Sequence, residues 1–329
     1  MYDSPSKMDI IQLPQTDLKV SRVCLGTMTF GGQCNEMQSV KILEKAFDLG
    51  INFVDTANVY NAGLSESILG KALAHRRKRI VLATKVRGKM GDRPDEQGLS
   101  YSAIIRQCEE SLRRLQTDYF DLYYLHQPDY AVPAAETLEA VHRLVKEGKV
   151  RYPASSNYAG WQVTQLLWES EKKGYRPPVV TQPMYNLLAR GIEQEYLPMV
   201  EQFKLSTVVY NPLAGGLLTG KQKREAPEPG TRFDSNKMYL DRYWHPAYFD
   251  AVEKLSAIAE RAGMSLISLS LTWLLRNTAA QCVILGASKI EHLVDNINSI
   301  LDKRLEDEVI IELDSVWAEL RGVTPKYNR

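Results

Sequence analysis

Several features are missing from these 329 residues, and each absence excludes something. The four cysteines, Cys24, Cys34, Cys108 and Cys282, form no C-x-x-C pair and have no histidine at ligand spacing. That argues against a zinc module and fits reduced thiols, so no metal is expected and a cytoplasmic location is. No run of about eighteen apolar residues occurs, and the opening MYDSPSKMDIIQLPQ has no apolar leader core, so neither a membrane span nor a secretion signal is expected. Charge of one sign is also lacking: 41 basic residues face 40 acidic ones, leaving no field to recruit nucleic acid or an anionic membrane. A G-x-G-x-x-G dinucleotide fingerprint is absent. None of the seventeen tyrosines stands in a Tyr-x-x-x-Lys pair, which removes the short-chain dehydrogenases. Low-complexity tracts are missing as well.

What is present is a rhythm. With 44% apolar residues the chain can bury a large core, which leaves disorder to the ends. Short β-branched runs alternate with longer amphipathic stretches: RVCLG before 38–49, NFVDT before 65–74, RIVLAT before 101–115 and YFDLYYLH before 133–147. The pattern continues with GKVRYPASS before 160–173, VVTQ before 193–203, STVVYN before 247–262 and QCVILGA before 289–300. Strands separated by helices pair in parallel, because a parallel connection needs a crossover of that length. Such units build either a closed (β/α)8 TIM barrel or an open doubly wound sheet. Closure is favoured because the polar residues at the strand ends have to converge. We expect an α/β fold forming a single domain over 1–329, with a long loop near 221–245 and an additional C-terminal helix in LEDEVIIELDSVWAEL.

In a parallel barrel, polar residues just past a strand lie at the C-terminal mouth, where catalysis takes place. Collecting them yields Asp55 after INFV, Tyr60 in the loop behind it, Lys85 after IVLAT and His126 after FDLYYL. Singly, each is more often a cap, a satisfied histidine or a solvated lysine. Together they read as a device for protonating an alkoxide formed from a carbonyl. A buried ammonium is expected to lower the phenol's pKa, a carboxylate to keep that ammonium charged, and an imidazole to orient the oxygen. The hydride has to come from a cofactor, since no side chain carries one.

On these residues, and on CLGTMTFGG, GINFVDTANVYNAGLSESILGKAL, YLHQPD, SSNYAGWQV, TQPMYNLL, VVYNPLAGGLLTGK and VILGASKIEHLVDNI, the chain resembles the aldo-keto reductases from about Arg22 to about Ile300. It looks most like the aflatoxin-aldehyde-reductase branch, and less like the β-subunits of potassium channels. The resemblance implies NADPH-dependent reduction of aldehydes and some ketones, with Asp55, Tyr60, Lys85 and His126 as catalytic tetrad and Tyr60 as general acid. It also implies that Gly26 and Thr27 border the cofactor, that Ser156, Asn157 and Gln182 hold the nicotinamide carboxamide, and that Tyr210 stacks on its ring. Asn211, Pro212, Leu213 and Gly215 would wrap the pyrophosphate. Lys221, Arg232 and Ser288 would meet an adenosine 2′-phosphate, Gly286 would border the cofactor and His292 would lie near the adenosine, and Asn296, with Asp295, would reach the adenine. A homodimer is the assembly suggested by the same branch.

Some positions depart from that pattern. Pro153 in PASSN cannot donate to a ladder, so the end of the fifth barrel strand is expected to be irregular. GGLLTGKQ matches G-x-x-x-x-G-K but continues with Gln222, lacking the hydroxyl that holds magnesium, so a nucleotide-triphosphatase site is not expected. His292 stands where a guanidinium would hold phosphate more firmly. Two other readings compete. One is a cofactor-binding regulatory protein like the channel β-subunits. The other is a metal hydrolase built on His126 and Asp129, which lacks the three ligands usual for catalytic zinc. For the substrate, Met28 with Phe233, Tyr239, Tyr243 and Trp244 would suit an aromatic aldehyde, while Arg87 and Arg232 would suit an acidic one such as succinic semialdehyde. The sequence leaves that choice open.

Overall fold

The computed structural model describes residues 8–234, 236–300, 302 and 304–323. Residues 1–7 of the opening segment and Ser235 of the 221–245 loop, both covered by the readings above, lie outside the described residues.

The first structured residues form a hairpin, β1 (Ile10–Gln12) antiparallel to β2 (Lys19–Ser21). Every apolar run then becomes a strand followed by its helix. The first units are β3 (Val23–Gly26) with α1 (Glu36–Asp48), β4 (Phe53–Asp55) with α2 (Leu64–Leu73), β5 (Val81–Val86) with α3 (Tyr101–Leu115) and β6 (Phe120–Leu125) with α4 (Ala134–Lys146). They are followed by β7 (Val150–Ser156) with α5 (Gly160–Lys173) and β8 (Val180–Gln182) with α6 (Tyr196–Gln202). After β9 (Ser206–Val209) come α7 (Lys237–Tyr243), α8 (Pro246–Arg261) and α9 (Leu266–Asn277), and after β10 (Cys282–Gly286) come α10 (Ile290–Asn298) and α11 (Asp307–Arg321). Strands β3 to β10 close into an all-parallel eight-stranded barrel. The seam pairs β10 with β3 from Val283↔Val23 to Gly286↔Gly26. Gly26 is needed there, because a Cβ on it would stand 2.6 Å from Ile284 Cγ2.

The crossover helices bury one face each. In α3, Ala103, Ile104, Cys108, Ser111, Leu112 and Leu115 face inward at helical spacing, and Ser100 caps the first turn by accepting the Ala103 N–H at 3.3 Å. Inside the barrel a separate apolar plug joins Leu13, Leu18 and Val20 of the hairpin to Cys24, Phe53, Leu122, Val180 and Val208. The hairpin therefore seals the N-terminal end, and the opposite end stays open.

Four elements differ from the sequence reading. The hairpin strands are three residues each, too short for an alternation to register. Helix α9, LISLSLTWLLRN, is buried on nearly every side and so lacks the polar stripe that marks a surface helix. Helix α7 lies inside the segment read as loop, capped by Asn236, whose side chain accepts the Tyr239 N–H. The fifth barrel strand, β7, is regular through Pro153, contrary to expectation. The carbonyl of Pro153 accepts the N–H of Val179, one residue ahead of β8, so its missing donor falls opposite chain that has not yet entered the ladder.

Candidate active site

Asp55 ends β4 and Lys85 is the penultimate residue of β5, so adjacent parallel strands bring the two side chains together at the barrel's open end. Both are buried. Lys85 Nζ donates to Asp55 Oδ1, to the Thr56 carbonyl at 2.8 Å and to the Tyr60 hydroxyl at 3.3 Å, which uses its three protons. Asp55 Oδ2 accepts from Gln182 Nε2 at 2.9 Å. Burial by itself lowers the Lys85 pKa, but Asp55, followed by Tyr60, outweighs it and holds the ammonium above its ordinary pKa.

Tyr60 opens a tight turn in which Asn61 and Ala62 take left-handed φ values of 49° and 53°, a strained arrangement for residues with a Cβ. The turn is held by Asn61 Nδ2, which donates to the carbonyls of Met28 at 2.9 Å and Phe30 at 2.7 Å. The expected lowering of the phenol's pKa is not found. Burial raises Tyr60 above its ordinary value, and the Lys85 ammonium offsets this only in part. The correction follows from desolvation: a phenolate at the floor of a pocket loses more hydration than one ammonium, already shared with a carboxylate, restores. Tyr60 therefore holds its proton at neutral pH.

His126 follows β6 with its ring edge-on to Tyr60, centroids 5.9 Å apart. Burial first, then the Lys85 and Arg87 charges, depress its pKa to about 3, so the imidazole is neutral and has one N–H to donate. Its carbonyl accepts Asn157 Nδ2 at 2.8 Å, which ties the end of β6 to the end of β7.

The ends of the later strands continue the site. Ser156 Oγ donates to the Gln182 carbonyl at 2.9 Å, and Tyr210 donates its hydroxyl to Asn157 Oδ1 at 2.6 Å. Thr27 Oγ1 donates to the Asp55 carbonyl at 3.0 Å. Beyond β9, Asn211, Ala214, Gly215 and Gly216 all have positive φ, from 49° to 110°, so the backbone folds into a concave turn of the kind that presents N–H groups to an anion. The Asn211 Nδ2 in this turn is buried with no hydrogen-bond partner. Arg232 Nη1 donates to the Tyr239 hydroxyl at 3.2 Å, and its Nη2 would lie 3.0 Å from a Cβ placed on Gly286.

A cavity of about 920 Å³ runs across the open end, and every residue expected at the site lines it except Lys85, which lies beneath the floor. The aromatic wall is corrected. Of the four loop aromatics only Tyr239 reaches the cavity. Phe233 and Tyr243 are buried, and the Phe233 ring packs at a tilt against Trp244 at 5.2 Å while Trp244 meets Phe249 of α8 at 5.0 Å, so this cluster is a core between the loop and α8. Sequence reasoning missed Arg242, which lines the cavity beside Tyr239. The i, i+3 spacing of Tyr239 and Arg242 would have placed them on one face had α7 been read as a helix. Asp129 is occupied elsewhere, accepting the N–H of Leu99 at 2.9 Å and of Ala131 at 3.1 Å. Among the described residues no group of His, Cys, Asp and Glu converges on a metal site, and no helix is long and apolar enough to cross a membrane.

Comparison with known proteins matches residues 22–318 to the model of the aldo/keto reductase family. The chain is 38% identical over 97% of its length to the uncharacterized oxidoreductase YrpG of Bacillus subtilis (strain 168), covering 99% of that protein. It is 35% identical over 93% of its length to aflatoxin B1 aldehyde reductase member 2 of Rattus norvegicus, covering 87% of it. A Schizosaccharomyces pombe chain named for a voltage-gated potassium channel subunit beta is 34% identical over 95% of this chain and 94% of its own. A barrel open at one end, a buried carboxylate, ammonium and phenol at its floor and a family match across most of its length agree: the chain belongs to the aldo/keto reductase family, oxidoreductases that work with a nicotinamide cofactor.

Proposed function

We propose that the whole chain acts as one cytoplasmic unit, with a homodimer as its assembly, that reduces aldehydes and some ketones with NADPH and uses Tyr60 as proton donor. The observation that carries this reading is the hydrogen-bonding of Lys85 to Asp55 and Tyr60 at once. The residues fit the cofactor. The concave turn at Asn211–Gly216, with the unpartnered Asn211 Nδ2, suits a pyrophosphate, and Lys221 and Arg232 supply cations for a 2′-phosphate. Ser156, Asn157 and Gln182 would hold the carboxamide and Tyr210 would cover the ring, while Gly286, Ser288, His292 and Asn296 border the adenosine. When bound, the reduced nicotinamide supplies the hydride.

The chain's own residues do the rest. The neutral His126 donates a hydrogen bond to the carbonyl oxygen and fixes its direction. Tyr60, protonated at neutral pH, gives its proton to that oxygen as negative charge develops on it. The phenolate left behind lies beside an ammonium that Asp55 and Gln182 keep in place, so charge created in the transition state meets a preset partner. Strand ends fixed in a closed barrel make this arrangement rigid before substrate arrives. The test is NADPH consumption with an aromatic aldehyde. Tight NADPH binding without turnover of any aldehyde would overturn the reading and favour a regulatory role, for which no feature of the site argues. Light scattering on the purified chain checks the dimer.

A further inference from the structure

Resting on the reading of Tyr60 as proton donor, we propose that Asn61 is a positioning residue that aims the Tyr60 hydroxyl at the carbonyl oxygen. Tyr60 and Met28 line the cavity and Asn61 does not, so Asn61 acts through the backbone rather than on substrate or cofactor. Little else aims the phenol. Its one hydrogen bond among the described residues is the long contact from Lys85 at 3.3 Å, and its ring meets His126 edge-on. The hydroxyl stands at the far end of the ring, so a small rotation of the turn is magnified there.

The turn needs a tether to hold its shape. Asn61, Ala62 and Gly63 take φ values of 49°, 53° and 88° in succession, and left-handed residues in a row are disfavoured when two of them carry a Cβ. Asn61 Nδ2 offsets that cost by donating both its protons, to the Met28 carbonyl at 2.9 Å and the Phe30 carbonyl at 2.7 Å. Both acceptors lie in the segment between β3 and α1, which is itself fixed. Phe30 is buried, its N–H donates to the Thr27 carbonyl at 3.0 Å, and Thr29 Oγ1 donates to the Ala287 carbonyl just past β10 at 2.8 Å. Tyr60 is therefore tied, through its neighbour, to the seam where β10 meets β3. Asparagine suits the position twice, since its amide supplies two donors and its short polar side chain tolerates the left-handed region. The facing wall leaves room for it: a Cβ on Gly32 would stand 2.5 Å from Asn61 Oδ1 and 2.9 Å from its Cγ. Gly32 has no positive φ, so its missing side chain serves the carboxamide of Asn61 and not its own backbone.

The experiment measures kcat and the NADPH Kd for Asn61→Ala, Asn61→Gly and Gly32→Ala, each alone and combined with Tyr60→Phe, using an activated aromatic aldehyde. Each single variant should lower kcat by about 10- to 100-fold, the order expected when a reacting group is misplaced by about 1 Å, with the NADPH Kd nearly unmoved. Asn61→Gly removes both hydrogen bonds while relieving the strained φ, so a low kcat there assigns the effect to the tether. Gly32→Ala keeps Asn61 and only displaces its carboxamide, and it gives the same readings should Asn61→Ala fail to fold. In the Tyr60→Phe background none of the three should lower kcat further, because no hydroxyl is left to aim, whereas a general loosening of the site would lower it by the same factor as before. A kcat near that of the wild type in Asn61→Ala and Gly32→Ala, or an undiminished further fall in the Tyr60→Phe background, would sink this inference and leave the reductase reading standing. Equal turnover by Tyr60→Phe and the wild type, or no turnover by the wild type, would sink both.

Discussion

Replacing Tyr60 by Phe removes one hydroxyl whose only hydrogen bond among the described residues is the 3.3 Å contact from Lys85. Lys85 keeps Asp55 and the Thr56 carbonyl, and the ring keeps its edge contact with His126. The loss of stability should therefore stay within about 1 kcal/mol, the net worth of one ordinary hydrogen bond. Catalysis should suffer far more. A positioned general acid contributes about 10²- to 10⁴-fold, which corresponds to roughly 3 to 5 kcal/mol of barrier. The assay is NADPH absorbance under saturating cofactor with an activated aromatic aldehyde, beside fluorescence titration of NADPH and a thermal melt. The expected result is a kcat lower by at least two powers of ten with the cofactor Kd and Tm nearly unmoved. A kcat within tenfold of wild type would remove Tyr60 from proton donation. An equal rise in the cofactor Kd would mean that the phenol serves binding.

Lys85→Met should behave differently, leaving the buried Asp55 carboxylate without its cation and costing about 3 to 5 kcal/mol of stability, visible as a large drop in the denaturant midpoint; a midpoint near wild type would show that Asp55 finds another partner. His126 has a folded-state pKa of about 3 against an ordinary 6.5. Below 6.5 the unfolded chain binds the extra proton, so this residue's stabilising contribution is complete above that pH and is lost as pH falls toward 3. His126→Asn should flatten the acid limb of the stability profile, and an unchanged limb would refute a buried neutral imidazole. Arg232→Ala should weaken NADPH by about tenfold or more and NADH much less, as expected for loss of one charge-assisted contact to a phosphate; parallel losses in titrations of both cofactors would place Arg232 away from the 2′-phosphate.

Much of this could be read from the chain by itself. Parallel strands put the polar residues that follow an apolar run at one end of the molecule, so Asp55, Lys85 and His126 were legible from one-dimensional spacing, while Ser156, Gln182 and Tyr210 came from the family resemblance. The strands and their crossover helices were legible as well, since short continuous apolar runs, buried on both faces, give way to 3.6-periodic stretches at each junction. Helix α9 was not, because burial on nearly all sides erases the periodic signal. Whether the aromatics of the 221–245 loop line the cavity was not legible, since aromatic content does not say whether rings face a cavity or each other, and here Phe233, Trp244 and Phe249 pack together.

The sequence alone determined which residue types stand at the strand ends, and hence the kind of chemistry available. Their states of charge were decided only by the tertiary structure. Tyr60 holds its proton, His126 is neutral and Lys85 stays charged because burial penalises every ion and neighbouring charges repay that penalty unequally. The partners of the cavity arginines were likewise decided in three dimensions, since Arg232 bonds the Tyr239 hydroxyl while the Nε of Arg87 is buried with no partner among the described residues.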